Sequence, residues 1–319
     1  MTGGAWLITG ASGFIGSALL DTLRDSGQSL FVAGRRQPPA DRALRWIGLD
    51  LAGASIELPA GIDTVLHLAG EKRAESRMDE VNHLGAARLV DAAARAGAKR
   101  FVHLSSVGVY GAPKHAGLVD EAHPHRPMNA YERSKDAGER SVRERCAANG
   151  MACIVLQPSN VIGASPQARP LLGLMRIVAR GWFRYFGQAE AWVNYVGVTD
   201  VASALTAAAR ADLRDGTYIV NTPVQLHRMV EWIADELAVP PPSAHWPYAL
   251  GAGLAAAAAV GRRVLGRELP FSPERLRELT NTTRFDGSAI SRELGFAYPC
   301  SIEATLRSLA RGYRREGRL

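Results

Sequence analysis

Two side chains in this sequence stand where proton chemistry needs them. In the run Tyr131-Glu132-Arg133-Ser134-Lys135 a phenol and an ammonium lie four residues apart, a spacing that puts both on one face of a helix. A neighbouring positive charge favours the phenolate and draws a pKa that starts near about 10 toward the range in which a general acid or base works. Earlier in the chain, Val102-His103-Leu104-Ser105-Ser106 offers Ser106 as a hydroxyl that can hold a carbonyl or alcohol oxygen. Lysine is scarce: of 38 basic residues only Lys72, Lys99, Lys114 and Lys135 are lysines, so one placed a helical turn after a tyrosine is conspicuous.

A second group of residues suits a phosphate. Thr9-Gly10-Ala11-Ser12-Gly13-Phe14-Ile15-Gly16 follows an apolar run and opens a helical pattern. Glycines at 10, 13 and 16 permit a tight turn, and the helix N-terminus aims unpaired N–H groups and a favourable dipole at an anion. In a strand–turn–helix unit this is a pyrophosphate cradle, lined by Gly10, Ser12, Gly13, Phe14, Ile15 and Gly16. After the next apolar run an acidic residue would meet a ribose 2′-hydroxyl; here stand Gly34-Arg35-Arg36, and paired guanidiniums suit a 2′-phosphate. NADP is therefore expected over NAD. Asp50 and Leu51 are placed to meet the adenine, and Leu68, Ala69 and Gly70 to end a strand at the ligand-binding edge of the sheet.

These residues need elements to hold them. Short apolar runs at 6–9, 30–33, 45–48, 64–68, 100–105 and 153–156 alternate with helical patterns at 14–26, 79–96 and 130–148. That alternation predicts an α/β fold of Rossmann type, a doubly wound parallel sheet. Beyond Gly163 the rhythm changes. A helix is expected at 171–180, then an aromatic group from Trp182 to Tyr195 that suits a domain seam, a returning strand at 217–221, and helices from Leu226 onward. The predicted division is a dinucleotide-binding core over 1–165 with 196–222 returning to it, and a smaller, mostly helical substrate-binding cap over 166–195 and 223–319.

Composition narrows the classes. The 319 residues are 47% hydrophobic and 22% charged, ordinary for a globular chain and unlike disordered, collagenous or coiled-coil sequence. Cys146, Cys153 and Cys300 form no CxxC pair, which points to a reducing, cytoplasmic setting without structural zinc. His115, His123 and His125 sit in a loop without carboxylate support, so no metal is expected. The N-terminus has no signal-peptide pattern. The alanine-rich run 249–260 is too short to span a bilayer and is expected to pack as an internal helix, leaving no membrane partner. A net charge of +7 raises nucleic acid as a partner, but no nucleic-acid module accompanies it.

Taken together, TGASGFIG at 9–16, HLAG at 67–70, Asn82 in VNHLGAARLV, SSVGVYG at 105–111, YERSK at 131–135, PSNVIG at 158–163, NYVGVTDVA at 194–202 and the closing Phe285-Asp286 with LGF at 294–296 resemble the extended short-chain dehydrogenase/reductase family, of NAD(P)-dependent epimerase/dehydratase type. The resemblance runs essentially end to end. It implies hydride transfer at nicotinamide C4, with Tyr131 as acid or base, Lys135 holding the ribose and tuning Tyr131, and Ser106 polarising the reacting oxygen; Tyr131, Lys135 and Pro158 then also line the cofactor. Gln157, Ile162, Gly197 and Thr199 depart from the common pattern without touching this triad, and the stretch from Gly70 to Asn82 is shorter than in UDP-galactose 4-epimerase.

The same resemblance implies a nucleotide-activated sugar as substrate, with Asn160 ahead of its diphosphate and Arg275 or Arg277 on the phosphates. Glu71 is a candidate aid to proton transfer. A reductase of a nonsugar ketone, aldehyde or lipid-like alcohol uses the same chemistry. A redox-sensing regulator that binds NADP without turnover would ordinarily lose Tyr or Lys, and both are kept. Relatives often form homodimers through two core helices, here 79–96 and 130–148.

Overall fold

The computed structural model describes residues 4–37, 44–111, 117–164, 169–187, 190–265 and 271–319. Its strands are β1 (Ala5–Thr9), β2 (Leu30–Gly34), β3 (Leu44–Gly48), β4 (Ile62–His67), β5 (Arg100–Leu104), β6 (Leu118–Val119), β7 (Ala152–Pro158), β8 (Asn160–Ile162), β9 (Tyr185–Phe186), β10 (Trp192–Gly197), β11 (Asp215–Val220), β12 (Thr222–Gln225), β13 (His245–Trp246) and β14 (Arg284–Phe285). Its helices are α1 (Phe14–Leu23), α2 (Glu75–Asp79), α3 (Ala86–Arg95), α4 (Ala130–Ala148), α5 (Arg169–Ala179), α6 (Val198–Arg210), α7 (Leu226–Leu237), α8 (Tyr248–Leu265), α9 (Pro273–Leu279), α10 (Ala289–Leu294) and α11 (Ile302–Arg315).

Seven of these strands form one sheet in the order β11-β7-β5-β4-β1-β2-β3, every pairing parallel. The fold is α/β and Rossmann-like, as the alternating pattern predicts. Strand residues alternate between two cores. Ile8, Val32, Leu66, Val102 and Ile154 pack with α1 and α6 on one face. On the other, Leu7, Ala33, Val65, Phe101 and Val155 pack with α3 and α4. Because helices cover both faces, the strands read as continuous apolar runs rather than as alternation with polar residues.

The strand order reverses at β1, which pairs with β2 on one side and β4 on the other. Open sheets take ligands at such a switch point, outside the carboxyl ends of the strands. The helix expected at 79–96 is longer: α2 and α3 are joined through a π-helical turn, Glu80–Gly85, that makes one rod of Glu75–Arg95.

A third cluster, with Leu172, Met175, Phe183, Met229, Ile233, Leu306 and Leu309, gathers α5, α7 and α11 beside the sheet. Asn221, the single residue between β11 and β12, ties the two parts together. Its amide donates to Phe285 O at 2.7 Å and Asn194 Oδ1 at 3.1 Å. Two details depart from the sequence expectation. Ala289, Ile290 and Phe296, in the stretch given to the cap, instead join the core beside the sheet, where Glu293 accepts a hydrogen bond from Tyr218 of β11. The alanine-rich run does form helix α8, but only Gly251 and Ala255 between Tyr248 and Val260 are buried; small side chains on every side give it no broad apolar stripe to turn inward. No helix among the described residues is long and apolar enough to cross a membrane.

Candidate active site

The phosphate loop is shaped by what a side chain would strike. Gly10 has φ +73°, and a Cβ there would lie 2.7 Å from Ala69 N, so the loop presses its backbone onto the Leu68–Ala69 turn. Gly13 caps α1, its N–H donating to Gly10 O at 2.9 Å. A Cβ at Gly16 would lie 2.2 Å from Gly10 O. Ser12 is exposed at the loop's tip and Phe14 and Ile15 are half-buried. Leu68 N donates to Thr9 O, and Ala69 N to Thr9 Oγ1. The first turn of α1 thus stays open, with close backbone approach on either side, and these residues fit a dinucleotide's diphosphate.

The other residues expected to meet the cofactor have differing surroundings. Arg35 and Arg36, directly after β2, are exposed and make no ion pair among the described residues. The Asp50 carboxylate accepts from Ala52 N at 3.1 Å and lies 3.9 Å from Arg77. Leu51 is buried, and its carbonyl accepts from Arg88 at 2.7 Å. Gly70 packs against the Asn82 amide, and Pro158 closes β7 opposite Val220.

Helix α4 places the tyrosine and lysine. Asn129 accepts from Glu132 N at 2.9 Å, and the Glu132 carboxylate returns to the N–H groups of Asn129 and Met128. This capping box fixes the first turn, with Tyr131 in it and Lys135 one turn on. The helix packs against β5 and the turn Val107–Tyr110, which brings Ser106 to the same strand end. Ser106 Oγ accepts from Gly108 N at 3.1 Å; its own O–H remains available to donate.

Lys135 is 5% exposed and donates to Leu104 O at 2.6 Å. Burial lowers its pKa to about 8, against the upward pull of Glu139. Tyr131 departs from the sequence expectation. Its pKa is raised, first by burial and then by Glu132. Desolvation outweighs any help from Lys135, whose ammonium is engaged with a backbone carbonyl.

Several residues at the site were not singled out by type and spacing. His67 and His103, partners on β4 and β5, lie with ring centroids 5.4 Å apart. Burial, reinforced by the Lys135 charge, lowers His67 to about 3 and His103 well below its ordinary value. Asn82, in the π turn, accepts from Glu71 N at 2.7 Å and donates to Glu71 O and to Ser134 Oγ, at 2.8 and 2.9 Å. Ser134 in turn donates to Tyr131 O at 2.8 Å. Gln157, fully buried, accepts from Tyr110 OH at 2.6 Å and donates to Glu139 at 3.0 Å. The amide's two ends serve a phenol and a carboxylate at once, which explains a glutamine at this position.

Other expectations are corrected or narrowed. Glu71 closes the turn ahead of α2, accepting from Arg73 N at 2.8 Å and Ala74 N at 3.2 Å, and these bonds lower its pKa. His125 does have carboxylate support, because α4 presents Asp136 at 2.7 Å; His115 lies outside the described residues. Asn160 is exposed on β8 and pairs in register with Tyr195 of β10. Tyr195 is pushed up to about 12 by burial, Glu278 raising and Arg275 lowering its pKa. Arg275 therefore lies within electrostatic reach of Tyr195, the register partner of Asn160. Arg277, on the same α9, pairs with Glu274 at 3.5 Å and is mostly exposed. A cavity of about 630 Å³ runs between α1, α6 and α11, lined by Phe14, Ile162, Gly163 and Thr199; it adjoins the phosphate loop but not the Tyr131–Lys135 pair.

Comparison with known proteins places this geometry. The model of the NAD dependent epimerase/dehydratase family matches residues 6–221. The chain is 28% identical to N-acetyl-alpha-D-glucosaminyl-diphospho-ditrans,octacis-undecaprenol 4-epimerase of Escherichia coli O157:H7, over 94% of this chain and 92% of that protein. Among solved structures, MoeE5 in complex with UDP-glucose and NAD superposes with a TM-score of 0.72 at 25% identity, covering 98% of this chain and 99% of the other. The crystal structure of gox2253 superposes at 0.75 with 23% identity, over 99% and 100%, and supports the fold.

Proposed function

Because the chain belongs to the NAD-dependent epimerase/dehydratase family and is an enzyme of the extended short-chain dehydrogenase/reductase type, we propose that it moves a hydride at a sugar carbon of a diphosphate-linked sugar, a nucleotide sugar by the example of MoeE5, as an epimerase or reductase. The observation that carries this reading is the placing of Tyr131 and buried Lys135 one turn apart on capped α4, beside Ser106 at the end of β5. The E. coli relative is named for a sugar on a polyprenyl diphosphate rather than on a nucleotide, so the diphosphate is the shared feature of the substrate class.

The nicotinamide, when bound, takes and returns the hydride. The chain's own residues manage position and protons. Ser106, its oxygen already engaged with Gly108 N, directs its O–H to the reacting oxygen. Tyr131, whose pKa lies above the usual phenol value, keeps its proton at neutral pH and gives it to an alkoxide as that forms. The reverse step needs the phenolate, and Lys135 supplies the charge that favours it. With one proton on Leu104 O, Lys135 retains two donors for a ribose hydroxyl. Asn160 and Arg275 are assigned to the substrate's diphosphate side. The core helices α3 and α4 are the candidate homodimer face.

Tyr131→Phe tests the assignment. It keeps the ring and removes the proton, so turnover of a UDP-hexose panel with NAD or NADP falls by about a thousandfold or more while dinucleotide affinity, measured by fluorescence titration, stays within about twofold. Turnover retained in the variant would overturn the assignment.

A further inference from the structure

Helix α8 has one face against the cap and another that is exposed among the described residues. Gly251 is buried, and a Cβ there would lie 2.6 Å from Phe186 and 3.0 Å from Leu276. Beside it Leu250 and Leu254, and farther round the helix Val260, are 46%, 43% and 60% exposed. From Ala249 to Gly261 the helix carries no polar side chain at all, where a solvated helix ordinarily has a polar outer stripe. The strand pair β9–β13 continues the surface: Trp246 packs edge-on against Phe186 and is 39% exposed, and Trp182, just before β9, is 66% exposed with the Arg180 guanidinium 5.4 Å from its ring centre.

Arginine dominates the charge of the stretches that build this surface, and its acidic neighbours are Glu231, which acts on Tyr185 of β9, and Glu274 and Glu278 of α9, where they pair with Arg277 and Arg275. Between Glu144 and Glu190, and again between Glu236 and Glu268, every charged residue is an arginine. These two stretches supply α5, β9, β13 and α8. An apolar, tryptophan-bearing face with an excess of arginine around it matches the boundary between anionic headgroups and acyl chains, where indoles sit at headgroup level and guanidiniums meet lipid phosphate.

We propose that this face of the cap seats on the surface of an anionic phospholipid bilayer, with α8 lying in the plane of the interface. The proposal departs from the sequence expectation of no membrane partner, since a helix too short to span can still lie flat. It rests on the reading of the site given above and selects within it. Helix α9, which carries Arg275, packs against α8, so docking brings the diphosphate-binding side of the cap to a sugar diphosphate anchored in the membrane by a polyprenol.

Sedimentation with vesicles tests this on the full chain. The protein is expected to pellet with phosphatidylcholine–phosphatidylglycerol vesicles, far less with phosphatidylcholine alone, and to be released as salt rises. Brominated acyl chains should quench its tryptophan fluorescence, with the quenching reduced in Trp182→Phe. Leu250→Glu with Leu254→Glu, both on the exposed face, should cut the bound fraction about tenfold without changing the melting temperature or the turnover of a soluble UDP-sugar. Absence of vesicle binding, binding unaffected by the double substitution, or a dimer that the double substitution splits would each overturn the docking. Soluble turnover is scored separately: docking without it counts against the reading of the site alone, and turnover without docking counts against this proposal alone.

Discussion

The ammonium of Lys135 donates a 2.6 Å hydrogen bond to the carbonyl oxygen of Leu104, the last residue of β5. That bond joins α4 to the sheet at the strand end where Ser106 follows, and it places a charge where almost no solvent reaches. Its neighbours are the neutral imidazoles of His67 and His103 on one side and the Glu139 carboxylate, one turn along α4, on the other. Glu139 is itself held by Gln157 and by Arg143 at 3.0 Å. The arrangement keeps a positive charge buried at the end of β5 at the expense of folding stability.

That tension gives a first prediction. The native pKa of Lys135 is about 8 against an ordinary 10.5, so the buried charge costs about 3 kcal/mol at neutral pH. Lys135→Met removes the charge and loses one hydrogen bond worth about 1 kcal/mol. Unfolding in urea at pH 7 should show the variant about 1 to 2 kcal/mol more stable, while turnover is lost. Since the folded value is depressed, the unfolded chain binds more protons between pH 8 and 10.5, and the unmodified protein gains stability as pH rises through that window. The variant should lack this gain. Destabilisation of the variant at pH 7 would contradict the account.

The histidine pair sets the acid side. His67 is held neutral down to a pH of about 3, and His103 is likewise depressed. Below about pH 6.5 the unfolded chain takes up protons that these imidazoles refuse, so stability falls with acidification by about 1.4 kcal/mol per pH unit for each. Neither ring nitrogen of His103 has a hydrogen-bond partner among the described residues. His103→Phe therefore sacrifices no bond, and it should shift the acid-unfolding midpoint, followed by circular dichroism, to lower pH with a shallower slope.

How far the sequence carries can be seen residue by residue. The sheet, the glycine loop and the Tyr131–Lys135 spacing were legible because each depends on local pattern: buried parallel strands are continuous apolar runs, a left-handed Gly10 has few substitutes, and a helical turn is four residues. The helix 130–148 coincides with α4 for the same reason, its Asn129–Glu132 box being written in the chain. What was not legible is tertiary. The raised pKa of Tyr131 comes from burial, the support of His125 comes from Asp136 on another element, and the His67–His103 contact is made only when β4 pairs with β5. Helix α8 was misjudged because a run of alanines is compatible with either side of a protein surface, and only packing decides which.

The arginines after β2 provide the last prediction. Arg35 and Arg36 are exposed at the carboxyl end of the strand, at the edge of the sheet that takes the adenosine half of a dinucleotide. No acidic residue stands between Gly34 and Gln37, and two guanidiniums offer bidentate donors to a 2′-phosphate. The family's description and the MoeE5 complex both name NAD, so affinity for NAD is expected as well. The discriminating measurement is the ratio. Arg35→Ala with Arg36→Ala should weaken NADPH binding by about ten- to a hundredfold, as the loss of two charge-assisted contacts requires, and NADH binding by about twofold or less. Calorimetric titration of both dinucleotides into both proteins reads this directly, and equal losses would remove the 2′-phosphate from the role assigned to these two side chains.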